Sequence, residues 1–321
     1  MKRLAATLSL LALALPAAAQ IDEETRQRAI AYVGGLRPPP GAVVEAPTGT
    51  LKKLADGGAL HIGYRDDAFP LSFHGQDNQP AGLIWDLCAK VVVAAARQLR
   101  LANIPVVAVP VTPNTRELYL STGIIDLECG ATGNTLSRQR KLAFGVTTYV
   151  ASVRLLASKQ GGVNTLADLD NRTLISLSGS PAERLARTTV ALRGSNIRHL
   201  QARDVTDALR LLEEGKGDAF VAEDITLALA LAKLPPARAE KLRLTDDALA
   251  FEPQAIMLRK DDEQLKKLLD ETLIETMKSG EFERLYQRWF ESPTGSDGVN
   301  LKLPISDTLR NLLLAPNDRG V

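Results

Sequence analysis

Apolar residues in the first half of the chain follow two alternating periods. Short apolar runs, typical of buried strands, are separated by longer stretches whose apolar residues recur as in an amphipathic helix. The predicted elements are a helix over 50–55, a strand over 60–64, a helix over 84–99, a strand over 106–111, a helix over 115–121 and a strand over 125–129. This alternation of strand and helix predicts an open α/β sheet.

The same alternation restarts near residue 161. It predicts a short helix over 165–169 with Thr165 as N-cap, strands over 174–177, 197–201 and 219–222, and helices over 182–192 and 206–214 between them. Two extended runs, 147–158 and 255–258, connect the halves, and a long helix over 262–277 follows. Two similar α/β halves with two extended connections predict a hinged protein whose ligand cleft lies between two lobes.

The start of the chain has a different pattern. Lys2 and Arg3 precede an apolar run over 4–15, which is too short to cross a bilayer, and small residues follow it up to Ala19. These features predict a signal peptide cleaved near Ala19, and therefore an exported, soluble protein of the periplasm. The expected organisation is signal peptide 1–19, N-terminal extension 20–50, lobe one 51–149 plus 256–292, lobe two 154–250 and C-terminal tail 293–321.

Charge, histidine and cysteine content narrow the function. Removal of Lys2 and Arg3 lowers the formal net charge from +1 to −1, so we expect no nucleic-acid partner. The three His lack metal-ligand spacing, and we expect no metal and no cofactor. Cys88 and Cys129 form one disulfide or stay as buried thiols, and neither is expected to be catalytic.

Six motifs, in order along the chain, resemble those of a known family. They are GYRDDAFPLSF (63–73), DLECGATGNTLSRQRKLAF (126–144), RLLASKQGGVNTLADL (154–169), LEEGKGDAFVAED (212–224), MLRKDD (257–262) and SGEFERLYQRWF (279–290). With these motifs the chain resembles the family 3 solute-binding proteins of polar amino-acid ABC transporters. Within that family it is most similar to the glutamate/aspartate-binding members. The resemblance implies a type II periplasmic-binding-protein fold. It also implies a monomer that captures a small anionic ligand by hinge closure and delivers it to a membrane permease.

The resemblance gives roles to charged residues at strand ends. Arg138 follows the third strand, Arg65 follows the first, and Arg116 opens the helix after the second. A guanidinium can hold a carboxylate through two parallel hydrogen bonds. The family implies that Arg138 binds the α-carboxylate of the ligand and that Arg65 and Arg116 receive a second carboxylate. Asp224 is implied as the acceptor for the ammonium group, and we favour it over Glu223 because neighbouring strand residues face opposite sides.

Other positions of the expected site depart from the family. Ala131 and Gly133 stand where relatives carry hydroxyl residues, Ser180 is followed by Pro181, which has no N–H, and Val205 replaces a polar residue. We expect these losses to weaken the binding of L-glutamate and L-aspartate to tens of micromolar or worse. Restoring hydroxyls at positions 131 and 133 should then raise the affinity, unless Gly133 is needed for a positive φ.

The altered site leaves other functions open. One is an accessory or interaction protein on the same scaffold, for example for a periplasmic quinoprotein dehydrogenase. A less favoured one is an exported dehydratase, in which Glu223 or Asp224 would act as general acid or base. The sequence has no other obvious catalytic group, so we expect the chain not to be an enzyme.

Overall fold

The computed structural model describes residues 45–75 and 79–321. The predicted signal peptide, and most of the predicted N-terminal extension, lie outside these residues. The strands are β1 (Leu60–Tyr64), β2 (Asp67–Ala68), β3 (Ser72–His74), β4 (Pro80–Ala81), β5 (Val106–Pro110), β6 (Leu127–Gly133), β7 (Leu142–Phe144), β8 (Tyr149–Ser158), β9 (Thr173–Leu177), β10 (Arg198–Ala202), β11 (Ala219–Glu223) and β12 (Leu242–Arg259). The α-helices are α1 (Gly49–Ala55), α2 (Leu83–Leu99), α3 (Arg116–Ser121), α4 (Leu136–Gln139), α5 (Pro181–Arg193), α6 (Val205–Glu213), α7 (Asp224–Lys233), α8 (Pro236–Ala239), α9 (Glu263–Lys278), α10 (Glu281–Tyr286) and α11 (Asp307–Leu314).

One sheet runs through both predicted halves. Its strand order is β10-β9-β11-β8-β12-β6-β1-β5, and β7 pairs with β12. The strands of each half are parallel, with β5 and β6 on either side of β1, and β10 and β11 on either side of β9. The two long strands β8 and β12 pair antiparallel between the halves, from Tyr149 opposite Gln254 to Ser158 opposite Leu242. This is the predicted α/β architecture.

The hydrophobic core is divided between the same two halves of the sheet. The largest cluster surrounds α2, β1, β6 and α9, and smaller clusters surround β9 and β11. Helix α2 buries Leu83, Leu87 and Val91 on the face that its apolar spacing predicts. Of the two alternatives for the cysteines, the structure has the disulfide, which joins Cys88 of α2 to Cys129 of β6.

Strand β12 is longer than its predicted part, 255–258. It includes 242–254, where Asp246, Asp247 and Pro253 interrupt the apolar pattern that marks a strand. Two register shifts, between Leu244 and Ala250, accommodate this segment in the pairing with β8. The backbone therefore runs through the hinge region without a break.

The C-terminal segment packs against the largest core cluster. Ser306 caps α11, and Leu309 and Leu313 are buried in that cluster. The last residue, Val321, exchanges backbone hydrogen bonds with the segment after β6. Its N–H donates to the Asn134 carbonyl (3.1 Å) and its carbonyl accepts from the Leu136 N–H (2.8 Å). This tail contact supports the segment that leads to Arg138.

Two local predictions are wrong. Strand β6 begins at Leu127 rather than at 125 and continues to Gly133, so the site residues at 131 and 133 lie within it. Thr165 does not cap the next helix, because that element is a 3₁₀ turn over Ala167–Leu169 and the Thr165 hydroxyl bonds to the Asp168 carboxylate (3.2 Å). In the part of the chain that the structure describes, no helix has the length and apolar character needed to span a membrane.

Candidate functional site

A cleft of about 780 Å³ lies between the carboxyl ends of the first-half strands and the helices α6 and α7 of the second half. Six of the seven predicted binding residues line it: Arg65, Arg116, Ala131, Gly133, Arg138 and Asp224. Ser180 is not among the lining residues. It caps α5, and its Oγ accepts a hydrogen bond from the Glu183 N–H (3.1 Å). Phe69 adds an aromatic surface to the cleft wall.

Arg116 is the most deeply placed of the three arginines. It is the first residue of α3 and is 7% exposed. Its Nη1 donates a hydrogen bond to the Thr132 hydroxyl (2.6 Å). That hydroxyl donates to Oε2 of Glu128 (2.7 Å), which is completely buried on β6. Burial raises the pKa of Glu128, while the charges of Arg116, Arg65 and Arg138 act in the opposite direction. The buried carboxyl group of Glu128 therefore interacts electrostatically with all three guanidinium groups.

The other two arginines keep donors for a ligand. Arg138 donates from Nε to Oε1 of Glu117 (2.8 Å) and from Nη1 to the Gly133 carbonyl (3.0 Å). Arg65 donates from both Nε (2.9 Å) and Nη2 (2.5 Å) to Oδ1 of Asp67. Within residues 45–75 and 79–321, Nη1 of Arg65 and Nη2 of Arg138 have no protein acceptor. These geometries orient both side chains without using all of their donors.

Asp224 is tightly held by the hinge strand β8. Its Oδ2 accepts from the N–H (3.2 Å) and the hydroxyl (2.7 Å) of Ser152, and its Oδ1 accepts from the Ile225 N–H (2.8 Å). Burial raises the pKa of Asp224, and these hydrogen bonds oppose that effect. Most of the acceptor capacity of the carboxylate is therefore in use.

Glu223 also lines the cleft beside Asp224, so the expectation that the two side chains face opposite sides is wrong. The strand ends at Glu223 and the helix begins at Asp224, so the alternation of a strand no longer holds between them. Loss of hydration within the cleft raises the pKa of Glu223, and the negative charges of Glu252 and Asp224 add to this effect.

Glu252 is a cleft residue that the sequence analysis missed. It lies on β12, and a Cβ built on Gly133 would be 1.6 Å from its Oε1. Gly133 does not have a positive φ, whereas Ala131 does (60°). The absence of a side chain at Gly133 thus leaves space for Glu252. The residue with a positive φ in this segment is Ala131, not Gly133. No sequence signal marks Glu252, because its place depends on how β12 pairs with β6 and β8.

The cleft therefore carries both positive and negative charge. Three arginines, Arg65, Arg116 and Arg138, line it together with the carboxylates of Glu223 and Glu252. Such an arrangement suits a ligand that carries both carboxylate and ammonium groups. Among the described residues, no group of three or more His, Cys, Asp or Glu is arranged to hold a metal ion.

Comparison with solved structures agrees with this fold. A polar amino acid ABC uptake transporter substrate binding protein from Streptococcus thermophilus aligns with a TM-score of 0.61 at 20% identity, covering 81% of this chain and 92% of that one. An ancestral cationic amino acid solute binding protein aligns with a TM-score of 0.60 at 24% identity, covering 76% of this chain and 100% of that one. These likenesses show the type II periplasmic-binding-protein fold.

Sequence comparison identifies the family as well as the fold. The glutamate/aspartate import solute-binding protein of Escherichia coli K12 is 31% identical over 293 residues, which cover 91% of this chain and 96% of that protein. The L-glutamate/L-aspartate-binding protein of Pseudomonas aeruginosa PAO1 is 32% identical over 281 residues, covering 87% and 92%. A family model matches residues 60–292. The chain belongs to the bacterial extracellular solute-binding proteins, family 3.

Proposed function

We propose that this protein is a periplasmic binding protein that captures an acidic amino acid, or a related carboxylate, and delivers it to the permease of an ABC transporter. The observation that carries this proposal is that three arginines and two carboxylates, Glu223 and Glu252, line one cleft. The names of the E. coli and P. aeruginosa relatives support glutamate or aspartate as the ligand type.

In this proposal the arginines divide the ligand between them. Arg138 holds the α-carboxylate with the N–H groups that Glu117 does not use, and Arg116 and Arg65 hold a second carboxylate. Ala131 and Gly133 line the same wall and contribute backbone and space rather than hydroxyl groups. Three cations around one site give dicarboxylates an electrostatic advantage over neutral ligands.

We also propose that the ligand is enclosed by hinge bending at β8 and β12. These paired strands cross between the two halves of the sheet, and Asp224 ties the start of α7 to β8 through Ser152. Closure would bring Ser180, which lies outside the present cleft lining, towards the ligand. The lobe boundaries 51–149 plus 256–292 and 154–250 remain those proposed from the sequence.

The cellular setting follows from the same proposal. The signal peptide 1–19 would be removed near Ala19, and the mature protein would act as a monomer in the periplasm. We propose no enzymatic activity, because the E. coli and P. aeruginosa relatives are named as binding proteins. No observation favours the accessory role or the dehydratase reaction.

Native mass spectrometry of the mature protein, expressed with its signal peptide and purified without denaturation, tests the proposal. The expected result is a monomer that carries, or takes up on addition, one molecule of an acidic amino acid. A matched sample with Arg138→Ala should lose the adduct. A stable adduct with a ligand that lacks any carboxylate would contradict the proposal.

A further inference from the structure

We propose that Glu252 is a ligand-binding residue, and that its carboxylate accepts a hydrogen bond from the ammonium group of the bound amino acid. This inference rests on the proposed function, because it needs a ligand with an ammonium group. It places the main ammonium acceptor on the hinge strand β12 rather than at Asp224.

The first support is the position of Glu252 relative to the arginine that holds the α-carboxylate. Oε1 of Glu252 occupies the space in which a side chain on Gly133 would begin, and the Gly133 carbonyl accepts from Nη1 of Arg138. Glu252 and Arg138 thus approach the same residue, which lies on the cleft wall. The α-carboxylate and α-ammonium groups of an amino acid are attached to one carbon, so their two partners must lie close together.

The second support is that Glu252 has no protein partner. Within residues 45–75 and 79–321, no hydrogen bond or ion pair involves its carboxylate, whereas Arg138 pairs with Glu117 and Arg65 with Asp67. A carboxylate in a cleft loses hydration when a ligand closes over it, and that loss is offset only by a new donor or cation. An ammonium group supplies both.

The third support is that most of the capacity of the alternative acceptor is in use. Asp224 accepts two hydrogen bonds from Ser152 and one from the Ile225 N–H. Two carboxylate oxygens offer about four acceptor directions, so about one remains for a ligand. Asp224 adds negative charge near the ligand, and Glu252 supplies the free acceptor.

Gly133 leaves the space in which the Glu252 carboxylate lies. A Ser or Thr at this position would need the space that Oε1 of Glu252 occupies, so the Glu252 side chain would have to turn away. Gly133→Ser should therefore weaken the binding of an amino acid, which is opposite to the gain that the sequence alone predicts for a restored hydroxyl.

The test compares L-glutamate with glutarate, the same dicarboxylate without the ammonium group. Calorimetric titrations would use wild type, Glu252→Gln and the exposed control Glu271→Gln, at protein concentrations suited to millimolar affinities. We expect Glu252→Gln to weaken L-glutamate binding about 10- to 100-fold, and to leave glutarate affinity equal or higher. Glu271→Gln should match wild type for both ligands, since that side chain is exposed on α9.

Each outcome decides the inference. Unchanged L-glutamate affinity in Glu252→Gln overturns it, and so do equal losses for both ligands. If wild type does not bind glutarate, the thermal midpoint of Glu252→Gln becomes the folding control for its lost L-glutamate binding. A wild type that binds neither L-glutamate nor L-aspartate refutes an acidic amino acid as the ligand of the proposed function, and this inference falls with it. Tighter L-glutamate binding by Gly133→Ser would also contradict it.

Discussion

Replacement of Arg116 by Ala should remove the preference of the cleft for a second carboxylate. The side chain is 7% exposed, and its Nη1 is held by the Thr132 hydroxyl at 2.6 Å. That contact orients the guanidinium, while its buried Nε and its Nη2 have no acceptor among the described residues. A ligand carboxylate bound there would be a charge-assisted hydrogen bond in a largely desolvated site.

The expected loss follows from that contact. A hydrogen bond to a charged group contributes about 1.5–3 kcal/mol, which corresponds to about a 10- to 150-fold change in Kd. The loss should apply to L-glutamate and not to L-glutamine, which has a neutral amide in place of the second carboxylate. Arg116→Lys should recover only part of the preference, because an ammonium group lacks the planar pair of donors.

Stability must be measured alongside affinity. Arg116 is linked to the buried Glu128 through the Thr132 hydroxyl, and its removal leaves that carboxylate with less charge compensation. The thermal midpoint of unfolding should be lower in Arg116→Ala than in wild type, and the decrease should be smaller in Arg116→Lys. The readout is the ratio of L-glutamate to L-glutamine affinity from calorimetric titration, which does not depend on the folded fraction. An unchanged ratio in folded Arg116→Ala would refute the assigned role.

Three further predictions concern other parts of the site and fold. Arg138→Ala should cost about 2–5 kcal/mol of binding free energy for mono- and dicarboxylates alike, and a loss confined to dicarboxylates in calorimetry would contradict its role at the α-carboxylate. Replacing Cys88 and Cys129 by Ala removes a cross-link over 41 positions and should lower the unfolding free energy by about 4 kcal/mol in urea titrations. Ligand affinity of that double variant should stay within a few-fold of wild type. Saturating ligand should reduce the radius of gyration in small-angle scattering, and no reduction would count against hinge closure.

Much of the fold could be predicted because its signals are local. Helix α2 and strands β1 and β5 have regular apolar periods over enough residues to define type and position. The small sheet of β2, β3 and β4 was missed because strands of two and three residues are too short to show a period. The first part of β12 was missed because acidic residues and Pro253 interrupt its pattern.

The site was predictable where chemistry follows a strand end. Arg65, Arg116 and Arg138 lie at three carboxyl ends of one sheet, and a resemblance in motifs gave them roles. Glu252 could not be found this way, because its contact with Gly133 depends on the register of β12 against β6. Ser180 was expected in the cleft, but its hydroxyl caps α5.

The most direct test of the central claim is calorimetric titration of the mature wild-type protein with L-glutamate and L-aspartate. Our account predicts saturable binding of one molecule per chain, at tens of micromolar or weaker, because Ala131 and Gly133 supply no hydroxyl donors. Absence of binding to both amino acids would contradict the assignment of an acidic amino acid as the ligand. Submicromolar binding of L-glutamate would contradict the view that these two substitutions weaken the site.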